Sequence, residues 1–298
     1  MSRMTDNRRV SSELSAQLGE AHRARSVMIT PGAYDALSAR LIAALGFPAV
    51  YITGAGFANS HLGVPDIGLT GLAELCDQVS AIADVVELPL IVDADTGFGN
   101  AVTLTRTVRR LERAGASAIQ IEDQVSPKRC GHFSGKEVVA AEEMVSKVHA
   151  AVDSRSSEDT IIIARTDARA TEGLSGALDR AAAYRAAGAD VLFVEAPTSV
   201  EELRTIGAYF DCPLVANMVE GGVTPILPRD ELAELGYTLV LYANSALRAA
   251  QHNVLSVLEH LMRNGTTEGV THRMASWQER QSAVGKPYFD ELEERYKS

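Results

Sequence analysis

The chain is expected to fold as an α/β protein, a (β/α)8 TIM-type barrel. Three observations point there: a short phrase recurs four times, eight apolar runs alternate with helical patterns, and polar residues fall directly after those runs. The 298 residues are 46% hydrophobic, ample for one large core, which excludes disorder as the general state. With 28 Lys and Arg against 39 Asp and Glu, the net charge is −11, and no basic block exceeds two residues. That balance excludes a nucleic-acid-binding or membrane-binding surface. No run of about 18 apolar residues occurs, and residues 1–25 lack the apolar centre of a secretory signal. Cys76, Cys130 and Cys212 are odd in number and unpatterned, so a reduced, cytoplasmic protein is expected.

The recurring phrase is Leu45-Gly46-Phe47-Pro48-Ala49-Val50-Tyr51-Ile52, then Ala114-Gly115-Ala116-Ser117-Ala118-Ile119-Gln120-Ile121. It returns as Ala187-Gly188-Ala189-Asp190-Val191-Leu192-Phe193-Val194 and as Leu235-Gly236-Tyr237-Thr238-Leu239-Val240-Leu241-Tyr242. Gly ends a helix cheaply in the left-handed conformation, and the apolar run behind it reads as a buried parallel strand. Runs at 27–30, 88–92, 160–164 and 213–216 bring the strands to eight. Between them, Leu72, Leu75, Val79 and Ile82, then Leu104, Val108 and Leu111, recur at helical spacing, with Asn100 placed as an N-cap. An open doubly wound sheet is the alternative, since strand number alone does not establish closure.

The expected organisation is an N-terminal helical extension (1–25), a catalytic barrel (26–250) and C-terminal helices (251–298). The connections at 54–70 and 123–140 exceed what a connection needs, as lids and binding loops do.

Asp93 and Asp95 follow the third strand, Glu122 and Asp123 the fourth, Arg165 and Asp167 the fifth, Glu195 the sixth and Asn217 the seventh. Strand carboxyl ends form the active face of a barrel. Oxygen donors without His suit a hard cation, Mg2+ or Mn2+, and Asp66 in the second loop adds another oxygen. Helix capping is the plain alternative for Asp123 and Asp167. The segment 127–136 sets Cys130 beside Lys128, Arg129, His132 and Lys136, cations that depress a thiol pKa. Cys76 and Cys212 read instead as buried apolar residues. Arg165 needs an anion, either a substrate carboxylate or a structural partner such as Glu195 or Glu122.

Together, Pro31-Gly32-Ala33-Tyr34-Asp35-Ala36, Tyr51-Ile52-Thr53-Gly54-Ala55-Gly56, Leu62-Gly63-Val64-Pro65-Asp66, Asp93-Ala94-Asp95-Thr96-Gly97-Phe98-Gly99, Glu122-Asp123-Gln124, Lys128-Arg129-Cys130-Gly131-His132, Ala164-Arg165-Thr166-Asp167 and 217–222 resemble the isocitrate lyase and phosphoenolpyruvate mutase superfamily. The resemblance spans about residues 26–260 and is nearest to 2-methylisocitrate lyase-like members. It implies a barrel with an exchanged C-terminal helix, assembled as a homotetramer, with Mg2+ on Asp93 and on Asp66, Asp95 and Glu122 directly or through waters. It also implies a small carboxylate substrate held by Thr53, Gly54 and Ala55 amides and by Arg165, with Gly131, Glu195 and Asn217 nearby.

The activity so implied is carbon–carbon cleavage of a 2-hydroxy di- or tricarboxylate, of 2-methylisocitrate or alkylmalate type, to pyruvate or glyoxylate and a dicarboxylate. Cys130 occupies the place of the catalytic cysteine on a gating loop, with His132 beside it; Glu122 and Tyr51 are the candidate bases or relays. A phosphonomutase, an oxaloacetate hydrolase or decarboxylase, and a barrel that only binds a dicarboxylate are the alternatives. The sequence departs from 2-methylisocitrate lyases at Phe133-Ser134-Gly135 and Leu241-Tyr242-Ala243-Asn244, positions that bear on substrate shape.

Overall fold

The structure is a computed structural model that describes residues 3–129 and 135–297, with side chains from residue 7 onward. In chain order the elements are α1 (Arg3–Arg23), β1 (Met28–Ala33), α2 (Ala36–Ala44), β2 (Val50–Ile52), α3 (Gly54–Phe57), α4 (Leu72–Ala83), β3 (Leu90–Asp93), α5 (Ala101–Ala114), β4 (Ala118–Glu122) and α6 (Ala141–Ser154). They continue as β5 (Ile161–Thr166), α7 (Arg169–Ala186), β6 (Val191–Val194), α8 (Val200–Tyr209), β7 (Val215–Asn217), α9 (Arg229–Glu234), β8 (Leu239–Tyr242), α10 (Ser245–Asn264), α11 (Trp277–Ala283) and α12 (Lys286–Arg295).

All strand pairs are parallel, in the order β6-β5-β4-β3-β2-β1-β8-β7. A parallel bridge between Leu192 and Leu214 joins the two ends, with Leu192 N–H donating to the Pro213 carbonyl at 3.1 Å. The sheet is therefore a barrel and not an open doubly wound sheet. The glycines of the recurring phrase, Gly46, Gly115, Gly188 and Gly236, all have positive φ (79°, 123°, 104° and 93°), the backbone that an L side chain resists.

Side-chain alternation divides the core in two. One face of the strands points into the barrel, where Tyr51, Ile91, Ala118, Ile161, Ile163, Val191, Phe193, Val215, Leu239 and Leu241 pack together. The other face, including Ile119, Ile121, Ile162 and Ala164, packs outward on Leu104, Val108, Leu111 and Val148 of the helices. Asn100 does cap α5, its side chain accepting from Thr103 N–H at 3.0 Å. Helix α1 closes the floor of the barrel with Leu14, Leu18 and Ala21, which belong to the inner cluster. Burying each of these leucines contributes about 2 kcal/mol.

Helix α10 runs without interruption across the expected boundary at 250 and has no buried residue. Val254, Leu255, Leu258, Leu261 and Met262 form an exposed apolar stripe along it. Trp277, Tyr288 and Phe289 on α11 and α12 are exposed as well. Among the described residues, no helix is long and apolar enough to cross a membrane.

Candidate active site

The inward face of each strand is apolar low in the barrel and turns polar at its carboxyl end. Two residues beyond Ile91 comes Asp93; two beyond Ala118 comes Gln120, then Glu122. Ile163 is followed at the same spacing by Arg165 and Asp167, Phe193 by Glu195, and Val215 by Asn217. Parallel register then sets neighbours side by side: Asp93 with Gln120, and Glu122 with Arg165. Gln120 Nε2 donates to Asp93 Oδ1 at 3.2 Å, while its Oε1 accepts from the Tyr51 hydroxyl at 3.3 Å. Asp95 N–H also donates to Asp93 Oδ1, at 3.2 Å. Asp95 adopts φ 50°, a strained backbone for a residue with a Cβ and one that clusters at functional sites.

Lys128 brings the long second loop and the fourth loop to this mouth. Its ammonium lies 2.5 Å from Asp66 Oδ1 and 2.9 Å from Asp95 Oδ1 and is almost fully buried. Burial pulls its pKa down, but Asp95, Glu122, Asp93 and Asp66 outweigh that and hold it well above the usual lysine value. Burial pushes Asp95 up to about 6; Asp93 and Asp66 add to the rise, and Lys128 opposes it. Burial also raises Glu122 well above the carboxylate range, with Arg165 opposing. Burial and the neighbouring Asp93 keep Tyr51 a neutral phenol.

Arg165 is held on one edge only. Its Nε and Nη2 donate to Asp167 at 2.9 and 3.0 Å, a bidentate pair, and Phe193 lies under the guanidinium at 5.2 Å. Glu122 stands 3.3 Å from Nε and Glu195 3.8 Å from Nη2, so the expected carboxylates are secondary partners and Asp167 is the main one. Asp167 also accepts from Lys136 Nζ at 2.8 Å. Behind it, Asp123 accepts from Asp167 N–H (2.9 Å), the Thr166 hydroxyl (2.7 Å) and the Tyr184 hydroxyl (2.7 Å). Neither aspartate is a helix cap: the N-cap residues of α6 and α7 are Ala140 and Ala168, and neither helix has a side-chain cap.

The described residues thus gather Tyr51, Asp66, Asp93, Asp95, Glu122, Arg165, Glu195 and Asn217 at one end of the barrel. Asn217 Nδ2 donates to Glu195 Oε1 at 3.4 Å. Thr53 differs from its expected part: its N–H donates to the Ala33 carbonyl at 3.4 Å, and its hydroxyl caps α3 and donates to Asn244 Oδ1. The N–H groups of Gly54 and Ala55 open α3 and have no intrahelical acceptor. Cys130, Gly131 and His132 lie outside the described residues. Gln120 is the contact sequence reasoning missed, although a lone polar residue two before Glu122 on an apolar strand was its signal.

Among the described residues, no three His, Cys, Asp or Glu side chains converge as direct metal ligands. Asp66 and Asp95 face the Lys128 ammonium instead. The residues nonetheless fit Mg2+, which keeps most of its waters and needs one or two carboxylates. Asp93 Oδ1 is occupied by two donors, whereas Oδ2 faces the bare Cα of Gly54, where a Cβ would come within 3.3 Å of it. Glu122 Oε1 is buried with no hydrogen-bond partner. Among the described residues, Asp66, Asp93, Asp95 and Glu122 share the cations Lys128 and Arg165, a surplus of negative charge that a divalent cation would offset.

An acidic cluster and an arginine fork at the carboxyl end of a (β/α)8 barrel stand on the face where barrel enzymes carry their chemistry. The chain belongs to the family described as phosphoenolpyruvate phosphomutase, which it matches over residues 18–262, within the isocitrate lyase and phosphoenolpyruvate mutase superfamily. It is 44% identical over 282 residues to the 2,3-dimethylmalate lyase of Eubacterium barkeri, covering 95% of this chain and 98% of that one. It is 45% identical over 261 residues to the 2-methylisocitrate lyase of Aeropyrum pernix, covering 88% and 84%. Among solved structures it is similar to a phosphonopyruvate hydrolase in complex with oxalate and Mg++, with a TM-score of 0.86, 31% identity and all of both chains covered.

Proposed function

We propose that the chain is a Mg2+-dependent carbon–carbon lyase that cleaves a 2-hydroxy di- or tricarboxylate, of alkylmalate or 2-methylisocitrate type, to pyruvate or glyoxylate and a second carboxylate. The observation that carries this reading is the guanidinium of Arg165, clamped by Asp167 along one edge and set beside the Asp93–Glu122 acidic group. The two lyase relatives named above support the reaction class, and the Mg++ of the hydrolase complex supports the metal. Mn2+ suits the same oxygens.

Asp93 would hold the cation through Oδ2, with Asp66, Asp95 and Glu122 taking its waters. Bound there, Mg2+ supplies Lewis-acid polarisation of the substrate's 2-oxygen. Arg165 Nη1, which no described residue engages, receives the substrate carboxylate, with the Gly54 and Ala55 N–H groups on the other side. Glu195 and Asn217 line the substrate end. Of the two candidate proton acceptors, Glu122 is the one the geometry supports: its Oε1 is unbonded, while the Tyr51 hydroxyl is committed to Gln120. Cleavage transfers the bond's electron pair to the departing carboxylate fragment as a carbanion, and Cys130 donates the proton that quenches it, with His132 and Gly131 alongside. Cys130 stands two residues from Lys128 in a segment whose stem is pinned by the Gln124–Arg129 and Lys136–Asp167 bonds. Closing that segment would exclude water from the carbanion.

The exposed stripe on α10 supports a homotetramer with exchanged C-terminal helices, and the buried, unpaired Cys76 and Cys212 suit a cytoplasmic setting. A coupled assay for pyruvate and glyoxylate across dimethylmalate, methylisocitrate, isocitrate and malate tests the reaction. Mg2+-dependent 2-oxo acid release from the first or second is expected; a substrate panel left intact would refute it. The phosphonopyruvate hydrolase likeness makes carbon–phosphorus chemistry the second reading, which phosphorus NMR of phosphonopyruvate would reveal.

A further inference from the structure

At the floor of the barrel, remote from the acidic mouth, α1 crosses the ends of α5 and α6 over a cavity of about 380 Å3. Four arginines line it: Arg8 from α1, Arg109 and Arg113 from α5, and Arg155 from the loop before β5. Arg155 is engaged, its Nη1 donating to Asp190 Oδ2 at 2.8 Å and to the Thr160 carbonyl at 2.9 Å. Glu112 is engaged too, accepting from Ser156 N–H at 2.8 and 2.9 Å and from the Thr160 hydroxyl at 2.8 Å. Its carboxylate oxygens are thereby committed to the loop it anchors.

Arg8, Arg109 and Arg113 form no ion pair or hydrogen bond among the described residues. Arg109 and Arg113 stand four apart on one helix face, where like charges repel. A chain of net charge −11 nevertheless gathers these three guanidinium groups, none of them in an ion pair among the described residues, on one concavity, where Glu112 and Asp153 are the two lining carboxylates. Guanidinium forks match phosphate and carboxylate oxygens bidentately. We propose that this pocket binds a small polyanion, bearing phosphate groups or several carboxylates, between α1 and α5. Because α1 also supplies the leucines that plug the floor, such a ligand would tie the plug to the barrel wall. This site is independent of the lyase reading.

Calorimetric titration of the full chain in metal-free buffer at fixed ionic strength, once with pyrophosphate and once with citrate, tests it. Saturable one-site binding is expected, at least 10-fold weaker in an Arg109→Gln/Arg113→Gln double variant and unchanged in Arg165→Gln. Tighter pyrophosphate binding assigns a phosphate ligand, and tighter citrate binding a polycarboxylate. The bound ligand should raise the wild-type Tm and leave that of the double variant unmoved. Absence of binding by both anions, equal affinity in the double variant, or binding lost only in Arg165→Gln would overturn the proposal.

Discussion

Asp93 illustrates how one side chain is prepared by its neighbours. Gln120 and the Asp95 amide fix one carboxylate oxygen and leave the other facing Gly54. Residues that orient a metal ligand are commonly worth about 10–100-fold in metal affinity. Gln120→Leu should therefore weaken Mn2+ binding by about that factor, measured by electron paramagnetic resonance titration, without unfolding the chain. Arg165→Lys keeps the charge but loses the planar fork, and a fall of about 100-fold in kcat/KM is expected from the lost positioning. Cys130→Ser should lower kcat by about 100-fold or more with Mn2+ affinity intact, which separates proton donation from metal binding.

At the scale of elements, β4 and β5 carry the site through one register. Glu122 lies beside Arg165, and the polar chain runs on from Asp167 to Asp123, Tyr184 and Arg180 of α7. Asp123→Ala should destabilise the fold by about 3–5 kcal/mol, because it strands several buried donors. Asp167 adds a pH signature. Burial pushes its carboxyl up, but Arg165 and Lys136 outweigh burial and hold it below its ordinary 3.8. A carboxylate whose folded pKa is depressed contributes stability above the unfolded value and loses it as pH falls through the folded one. The Tm gap between wild type and Asp167→Asn should thus be full at pH 6 and close on acidification below about 4; a gap that widens in acid would contradict the ion-pair assignment. The strands themselves were legible within a few residues, since Gly-terminated helices followed by β-branched runs report a local cause. The pairing of Arg165 with Asp167 was not, because three carboxylates stand near one guanidinium and only the register and rotamers choose between them.

Over the whole molecule, barrel closure was not readable from strand number; it rests on the Leu192–Leu214 bridge, which joins β6 to the start of β7, the two ends of the strand order. The acidic mouth was readable, because strand ends share one face whatever their order. The position of Lys128 was not, since it depends on how a long loop folds back over Asp66 and Asp95. The stripe on α10 likewise reads as an ordinary amphipathic helix until the structure leaves it without a buried residue. If it is an interface, the chain should sediment at about four times 31.9 kDa, and Leu255→Asp/Leu258→Asp should reduce it to smaller species, checked by analytical ultracentrifugation.

Oxalate has the planar, chelating carboxylate geometry of a 2-oxo acid enolate, so its binding reads the metal and the anion pocket together. Calorimetry with oxalate should give tight binding in Mg2+, with at least a 100-fold loss in metal-free buffer and in Asp93→Asn. Equal affinity with and without Mg2+, or an Asp93→Asn variant that binds as wild type does, would contradict a metal held at the barrel mouth.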